Sequence, residues 1–290
     1  MSWRTVVVSN RAKLDLKLNH LVVRGDETTK IFISEIYMLI IENTAVSLTA
    51  CLLSELIKRK VKVIFCDEKR NPASELVAYY GSHDTSLKVK EQIAWAQETK
   101  DKIWTRIVSD KIEKQRDLLL ENSLSQYELL NDYIMQIEHK DKTNREGHAA
   151  KVFFNALFGM DFTRNTENSI NAALNYGYSI LLSAFSREIV ANGYITQLGL
   201  FHDNMFNQFN LASDLMEPFR PLIDREVFSM NPISFEHSEK MRIVSILKSN
   251  VIIDGKSNYL SNAIGIYCKS IFEALGNDDL SCLRFYRYEL

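Results

Sequence analysis

The chain has 290 residues, of which 46% are hydrophobic and 25% charged, and it carries a formal net charge of −2 at pH 7. This length accommodates one large domain or two ordinary ones, and the composition is ordinary for a globular protein. The slightly acidic balance excludes a uniformly basic coat for nucleic acid. It leaves a local basic channel open, because binding depends on the charge of the patch and not on the sum.

The cysteines and the apolar segments exclude further classes of protein. The four cysteines are scattered and form no C-x-x-C pair, which argues against a zinc ribbon or a disulfide framework. The N-terminus lacks the apolar core of a signal peptide, and no apolar run approaches the roughly 20 residues that a spanning helix needs. We therefore expect a soluble, cytoplasmic protein with reduced thiols.

The first part of the chain, residues 1–81, has the patterns of β-strands. Thr5–Val8 is a β-branched run, and Lys13–Leu18 alternates strictly, which is typical of a half-buried strand. Ser47 is expected to cap a short helix, and Ala73–Tyr80 is predicted to be the last strand. A β domain of this size has little interior of its own, so we expect it to be stabilised by the helices or by a second copy, as in a homodimer.

After Gly81 the apolar period changes from two residues to that of a helix, which marks a domain boundary and predicts a larger, all-α helical domain over 82–290. One long helix is expected over Val89–Ile107, and Ser125 with Glu128 has the pattern of a capping box. Further helices are predicted over Glu146–Phe158, Asn168–Asn192, Ser238–Lys248 and Ser261–Leu275, with a small hairpin over Val251–Tyr259. The expected fold class is α+β, with the candidate functional residues in the helical domain.

His202, Asp214 and Glu217 are the first group of candidate residues. Asp214 and Glu217 are three positions apart, so on a helix they share one face, and His202 lies in a loop after Gly199, twelve residues before Asp214. One imidazole and two carboxylates that converge are suitable ligands for a divalent cation that keeps water positions open. The alternative interpretation places both acids on the solvated first turn of a helix, where carboxylates suit the positive end of the dipole.

Two further stretches carry candidate residues. Glu146 opens a predicted helix close to Arg145 and Lys151. Basic residues around an acidic metal site are expected where a phosphate is held on a cation. The alternative is a first-turn acid with Asn144 as the helix cap. The third stretch, Asn171–Tyr178, indicates by itself only a helix with small residues on one face for close packing.

Together these stretches resemble the large subunit of the CRISPR adaptation integrase, the enzyme that inserts new spacers, and most of all the version from type II systems. The family also has an N-terminal β domain of this size before a helical domain, so the resemblance runs through the whole chain. The last stretch, Asp214–Pro221, is the specific one. The matching residues are Glu146-Gly147, Ala149-Ala150-Lys151, Asn171, Leu174-Asn175-Tyr176-Gly177-Tyr178, Gly199, His202, Asp214-Leu215-Met216-Glu217-Pro218-Phe219-Arg220-Pro221 and Asp224.

The resemblance implies a metal site with Glu146, His202 and Glu217 as ligands and Asp214 as a nearby second acid, and these four are the implied catalytic residues. Many relatives carry Asp at the position of Glu217, but the longer side chain still binds a cation that prefers oxygen. His148 is not part of the family pattern. The implied cofactor is Mg²⁺ or Mn²⁺, and an imidazole ligand favours Mn²⁺.

The activity that the resemblance implies is a DNA transesterification, in which a 3′-hydroxyl of a short duplex attacks a phosphodiester at a repeat boundary, once on each strand. Such phosphoryl transfer needs mainly positioning and charge neutralisation from the protein. The implied partners are double-stranded DNA, as prespacer and as repeat, and a small ferredoxin-like subunit, whose dimer bridges two homodimers of the large one. No membrane is implied.

Phosphate contacts are expected from basic residues near this site. The candidates are Arg145, Lys151, Arg164, Arg220 and Arg225. A second basic group, Lys58, Arg59, Lys60 and Lys62, is a candidate for another DNA path, although a charge run at a helix end is typical of a solvated face. Binding dominated by phosphates should weaken steeply with salt and show little sequence preference.

Two other function classes remain open. A non-catalytic DNA-binding scaffold has no physical need for Glu146, His202 and Glu217, so their presence together argues against it. A metal-dependent hydrolase of small phosphorylated substrates often has a Gly-rich phosphate cradle, and the sequence shows none.

Overall fold

A computed structural model describes residues 2–288 of the chain, and they begin with a β-rich region of two four-stranded sheets. The first sheet has the order β1-β5-β7-β8, with β8 antiparallel at the edge, and the second has the order β4-β3-β2-β6. The elements of this region are β1 (Arg4–Val8), β2 (Lys13–Lys17), β3 (His20–Arg24), β4 (Thr28–Phe32), β5 (Ile36–Ile41), β6 (Ser47–Leu48), α1 (Ala50–Lys58), β7 (Lys62–Cys66) and β8 (Pro72–Leu76).

The central strand β5 connects this region to the helices. All of its residues are buried, which explains why its sequence is continuously apolar. Successive side chains of a strand point to opposite faces. Leu39 and Ile41 accordingly belong to a local core of the β region, while Met38 and Ile40 belong to the large core of the helical region. The helices therefore complete the interior that the β region lacks.

The rest of the described chain is mainly helical. Helix α6 is its centre, because it is buried along most of its length. The elements are α2 (Thr85–Ala94), α3 (Gln97–Glu121), α4 (Tyr127–Met135), α5 (Arg145–Phe158), α6 (Ser169–Ala191), α7 (Asn210–Met216), α8 (Arg220–Met230), α9 (His237–Ser245), β9 (Asn250–Ile253), β10 (Lys256–Tyr259), α10 (Leu260–Asn277) and β11 (Arg287–Tyr288). Strands β10, β9 and β11 form a three-stranded sheet, so this part is not all-α as predicted.

Several predicted boundaries are wrong, each for a local reason. Ser47 does not cap a helix, because it pairs with β2 as part of β6, and the side chain of Thr49 caps α1 instead. The expected long helix is broken after Ala94, where Trp95 turns into the core and lies 5.2 Å from the ring of Tyr194. Ser125 forms no capping box, since no side chain caps α4. The last strand of the β region ends at Leu76 and does not reach Tyr80.

Other predicted elements are confirmed. Helix α5 follows the predicted range and α6 begins where Asn168 caps it, with the Asn168 carboxamide oxygen 2.7 Å from the N–H of Asn171. The predicted close packing on α6 occurs at Gly177, where a Cβ atom would lie 2.4 Å from Ile223 of α8. No helix within residues 2–288 is long and apolar enough to cross a membrane.

Candidate functional site

Two of the predicted carboxylates meet at a lysine. The ammonium group of Lys111, in the middle of α3, contacts Oε1 of Glu146 and lies 2.5 Å from Oε2 of Glu217. The guanidinium of Arg220 lies 2.9 Å from the other carboxylate oxygen of Glu217. Lys111 of α3, Glu146 of α5, Glu217 of the turn after α7 and Arg220 at the start of α8 thus form one ionic cluster, which we call the Lys111 cluster.

Glu146 is positioned by the first turn of α5. The carboxylate of Asp141 accepts hydrogen bonds from the backbone N–H groups of Arg145 (2.8 Å) and Glu146 (3.0 Å), so it satisfies donors that a helix start leaves without partners. Asn144, the cap that the sequence suggested, makes no side-chain capping bond and has a left-handed backbone with φ of 53°. The side chain of Glu146 is partly exposed and reaches Lys111 from the solvent side of the cluster.

His202 is held by Asp214. The Asp214 carboxylate, which is fully buried, accepts hydrogen bonds from the backbone N–H groups of Leu200 (2.6 Å), Phe201 (3.0 Å) and His202 (3.2 Å). It also lies 2.5 Å from Nδ1 of the His202 ring. Because this contact engages Nδ1, the nitrogen with which His202 would bind a cation is Nε2.

Gly199 is required for this arrangement. A Cβ atom at this position would lie 2.3 Å from the carbonyl oxygen of His202 and 2.7 Å from the Asp214 carboxylate. Asp214 therefore organises the loop from Gly199 to His202. It lies at the end of α7, and Glu217 starts a 3₁₀ turn and is 5% exposed, so the alternative that both acids decorate a solvated first turn is wrong.

The charges of the site reinforce one another. Burial opposes charge on Glu217, yet the neighbouring Arg220 and Lys111 cations hold the pKa of that carboxyl below its usual value. Burial likewise opposes charge on Lys111, but the carboxylates of Glu217 and Glu146 raise its pKa. The hydrogen bond to Asp214 raises the pKa of His202 against the effect of burial. The shifts of Glu217 and Lys111 therefore both favour the charged forms that bind each other.

The residues present fit a divalent cation by their chemistry. Carboxylate oxygens and one imidazole suit Mg²⁺ or Mn²⁺, and the point between Glu146 and Glu217 already attracts a positive charge, that of Lys111. In the present arrangement, no three His, Cys, Asp or Glu side chains of residues 2–288 form a group that could hold a metal ion. His202 and Glu217 are nevertheless close enough for each to shift the pKa of the other.

The predicted DNA-binding residues are placed differently from one another. Lys151 is exposed on α5, and the guanidinium of Arg145 lies 5.5 Å from the ring centre of Tyr133. Arg220 belongs to the Lys111 cluster, and Arg225 is paired with Glu121 at 2.5 Å.

Arg164 and the second basic group complete this set. Arg164 is bound by the side-chain oxygens of Asn171 (2.5 Å) and Asn175 (2.6 Å). In the second group, Lys62 is buried and pairs with Glu75 at 2.6 Å, so it cannot line a DNA path. Lys60 is bound at the end of α6, where its ammonium lies 2.9 Å from the carbonyl oxygen of Ala191.

Three features of the site were missed by sequence reasoning. The first is Lys111. Its sequence signal is a charged residue at a position that continues the apolar stripe of Ile103, Ile107 and Leu118. The second is the contact of Tyr178, a residue that the resemblance includes without a role: its hydroxyl donates to the buried carboxyl of Asp224, and its ring centre lies 4.7 Å from the guanidinium of Arg220.

The third missed feature is an aromatic stack beside His202. The rings of Trp104 and Phe201 are nearly parallel, with an interplanar angle of 2° and centres 4.5 Å apart. The imidazole of His202 lies edge-on to both rings. No spacing rule brings Trp104 of α3 to this loop, because the contact depends on the tertiary fold.

Comparison with known proteins identifies the family. Residues 5–234 match the family described as CRISPR associated protein Cas1. A CRISPR-associated endonuclease Cas1 from Neisseria meningitidis serogroup C (strain 8013) is 36% identical over 233 residues, which cover 79% of this chain and 76% of the relative.

Solved structures share the fold. A casposase bound to an integration product has a TM-score of 0.75 at 18% identity, and the match covers 96% of this chain and 91% of the casposase. A Cas6-RT-Cas1–Cas2 complex gives a TM-score of 0.75 at 18% identity, over 97% of this chain and 36% of the longer one. The family match over residues 5–234 and the relative at 36% identity together show that the chain belongs to the Cas1 family of CRISPR-associated proteins.

Proposed function

We propose that this protein is a metal-dependent DNA integrase that inserts short duplexes, the new spacers, into a CRISPR repeat array. The observation that carries the proposal is the meeting of Glu146 and Glu217 at one positively charged point, beside a histidine that Asp214 orients. The family supports the same reaction class, since one relative is a CRISPR-associated endonuclease and a structural neighbour is a casposase bound to an integration product.

In the proposed reaction a 3′-hydroxyl oxygen of the incoming duplex forms a bond to a phosphorus atom of the repeat. The bond from that phosphorus to the neighbouring 3′-oxygen breaks, and the proton lost by the attacking hydroxyl is balanced by one gained by the departing oxygen. Glu146, Glu217 and Nε2 of His202 would hold Mg²⁺ or Mn²⁺. Such an ion stabilises the charge on the phosphate and activates the entering or leaving oxygen.

The protein's own contribution is to position these groups before DNA arrives. Asp214 fixes both the loop and the ring of His202, so little reorganisation is needed at the reaction step. Within the Lys111 cluster Arg220 holds Glu217, and the ring of Tyr178 lies against the guanidinium of Arg220. Preorganised charge of this kind is usually the largest contribution to phosphoryl transfer.

The proposal includes partners. Exposed or partly exposed cations near the site, Lys151 and Arg145 first, would contact DNA phosphates. A structural neighbour is a complex that contains Cas1 and Cas2, which supports a bridging small subunit for this chain as well. We propose two homodimers bridged by a dimer of that subunit as the assembly that holds the duplex.

A strand-transfer assay tests the proposal. Purified protein and its small partner are mixed with Mn²⁺, a duplex with free 3′-hydroxyls and a supercoiled plasmid that carries a repeat. We expect joined products from the wild type and a loss of at least about 100-fold in His202→Ala, because the oriented ligand is gone. His83→Ala is the matched control, since His83 is exposed in the turn before α2 and is not among the proposed metal-binding or DNA-binding residues.

Three outcomes are decisive. Equal activity in the wild type and His202→Ala would remove His202 from the chemistry. Duplex binding without joining, in the presence of the partner, would favour the non-catalytic scaffold. Turnover of a small phosphoester without DNA would favour the hydrolase.

A further inference from the structure

The ammonium of Lys111 lies where a divalent cation would be bound. It contacts Oε1 of Glu146 and lies 2.5 Å from Oε2 of Glu217, which are oxygens that a bridging metal ion would use. Oxygen ligands bind Mg²⁺ at about 2.0–2.1 Å, so an ion between the same two oxygens would nearly coincide with the nitrogen. The two positive charges cannot occupy this point together.

Burial of the Lys111 ammonium costs free energy unless the carboxylates are present to compensate its charge. The residue is 5% exposed, and it lies on the face of α3 that buries Ile107 and Leu118. A buried ammonium is tolerated when opposite charges and hydrogen bonds replace its water. Glu146 and Glu217 supply both, and the same contact separates two carboxylates that would otherwise repel each other.

We infer that Lys111 is a positioning residue that acts as a tethered cation. It holds Glu146 and Glu217 together in the metal-free protein and gives up its place when a divalent cation binds. The inference rests on the proposed function, because it requires the metal site of that function. The long, unbranched side chain of lysine allows the ammonium to move while α3 stays in place.

This exchange has two opposite effects that a measurement can separate. Without metal, Lys111 lowers the electrostatic repulsion between the carboxylates and stabilises the fold. With metal, it competes for the same oxygens and weakens the apparent affinity. Removal of the ammonium should therefore destabilise the metal-free protein and tighten metal binding at once.

Lys114 provides a matched control on the same helix. It is 3% exposed, its ammonium contacts Asp110 and lies 4.2 Å from the ring centre of Tyr286. Asp110 also has Arg287 at 2.8 Å, so it keeps a partner when Lys114 is replaced. Lys114→Met removes a buried ammonium of similar exposure that does not touch Glu146 or Glu217.

The experiment compares the wild type, Lys111→Met and Lys114→Met by thermal unfolding in a chelator, by thermal unfolding in Mn²⁺, and by calorimetric titration with Mn²⁺. In the chelator we expect Lys111→Met to unfold at least about 5 °C below the wild type. Added Mn²⁺ should raise its midpoint more than that of the wild type, and its Mn²⁺ affinity should be about tenfold tighter or more. Lys114→Met should lose stability without any change in Mn²⁺ affinity.

Unchanged or weaker Mn²⁺ binding in Lys111→Met would overturn the inference, provided that wild-type binding is lost in His202→Ala. If the wild type itself shows no Mn²⁺ binding that depends on His202, the proposed metal site fails first and the inference fails with it. If Lys111→Met does not fold, crystals of the wild type with and without Mn²⁺ give the answer. The Lys111 nitrogen must leave the two carboxylates when Mn²⁺ is bound, and an unmoved nitrogen refutes the exchange.

Discussion

Two halves of the site are built in different ways, although their acids are only three residues apart. The Asp214 carboxylate is bound by three backbone N–H groups and a histidine ring, so this half is fixed by the path of the chain itself. Within residues 2–288, only the side-chain cations Lys111 and Arg220 bind the Glu217 carboxylate. The first half is held by backbone donors that a cation cannot replace, whereas the second is held by side-chain cations, one of which a metal ion replaces in our inference.

We expect the largest difference in stability between the two halves when Asp214 is removed. Asp214→Ala leaves buried N–H groups and the His202 ring without their acceptor, so we expect the free energy of unfolding to fall by about 3–5 kcal/mol. Glu146→Ala should lower the free energy of unfolding much less, because the Glu146 side chain is partly exposed and Glu217 remains as a partner of Lys111. Urea unfolding measures both, with the exposed Asp203→Ala as control. Equal losses in Asp214→Ala and Glu146→Ala would show that the two halves do not differ.

A similar contrast, between local sequence signals and tertiary contacts, explains which parts of the structure the sequence predicts. Strand β5 and helix α6 follow from a continuous apolar run and from an apolar helix with an Asn168 cap, both of which are local signals. The break at Trp95 does not follow from local signals. The helical pattern continues through this residue, and only the burial of the indole in the tertiary structure interrupts the helix. Strand β6 is a second case of this kind. The local sequence at Ser47 is typical of a helix cap, and only the pairing with β2 in the tertiary fold makes it part of a strand.

In the site, sequence reasoning named the acids and the histidine but not what holds them. Glu146, His202 and Glu217 follow from the resemblance, which gives Asp214 only as a nearby second acid and does not predict its hydrogen bond to His202. Lys111 was not predicted, because its partners lie 35 and 106 residues further along the chain. A lysine in an apolar helical stripe is usually a side chain whose head reaches water, so its role appears only when α5 and the turn after α7 are in place.

The pH dependence of stability tests the Glu217 half of the site further, because the charges of Lys111 and Arg220 also influence a buried acid, Asp224. Asp224 is 1% exposed and accepts a hydrogen bond from Tyr178, and burial raises its pKa to about 7 although Lys111, Arg220 and Arg164 oppose this. An unfolded aspartate releases its proton near pH 4, so the folded protein binds more protons between about pH 4 and 7. Stability should therefore fall as the pH rises through this window.

Asp224→Asn tests that expectation, because its side chain cannot titrate. For one proton the loss in the wild type reaches at most about 1.4 kcal/mol per pH unit, and the variant should lack this slope. Urea unfolding between pH 4.5 and 7.5 compares the two, with the exposed Asp203→Asn as the control that keeps the wild-type slope. Parallel profiles for the wild type and Asp224→Asn would show that this carboxyl is ionised throughout.

The smallest expected effect concerns the charges outside the cluster. Lys151 is exposed on α5, whereas Arg225 is already paired with Glu121 at 2.5 Å and lies 4.2 Å from the ring centre of Tyr288. If Lys151 neutralises one DNA phosphate, Lys151→Ala should reduce the slope of log K against log salt by roughly 0.9. Arg225→Ala should change the slope less, because the charge of Arg225 is satisfied before DNA binds. Duplex binding measured over a range of salt concentrations separates them, and a larger change in Arg225→Ala would mean that the pair with Glu121 opens to meet the phosphate.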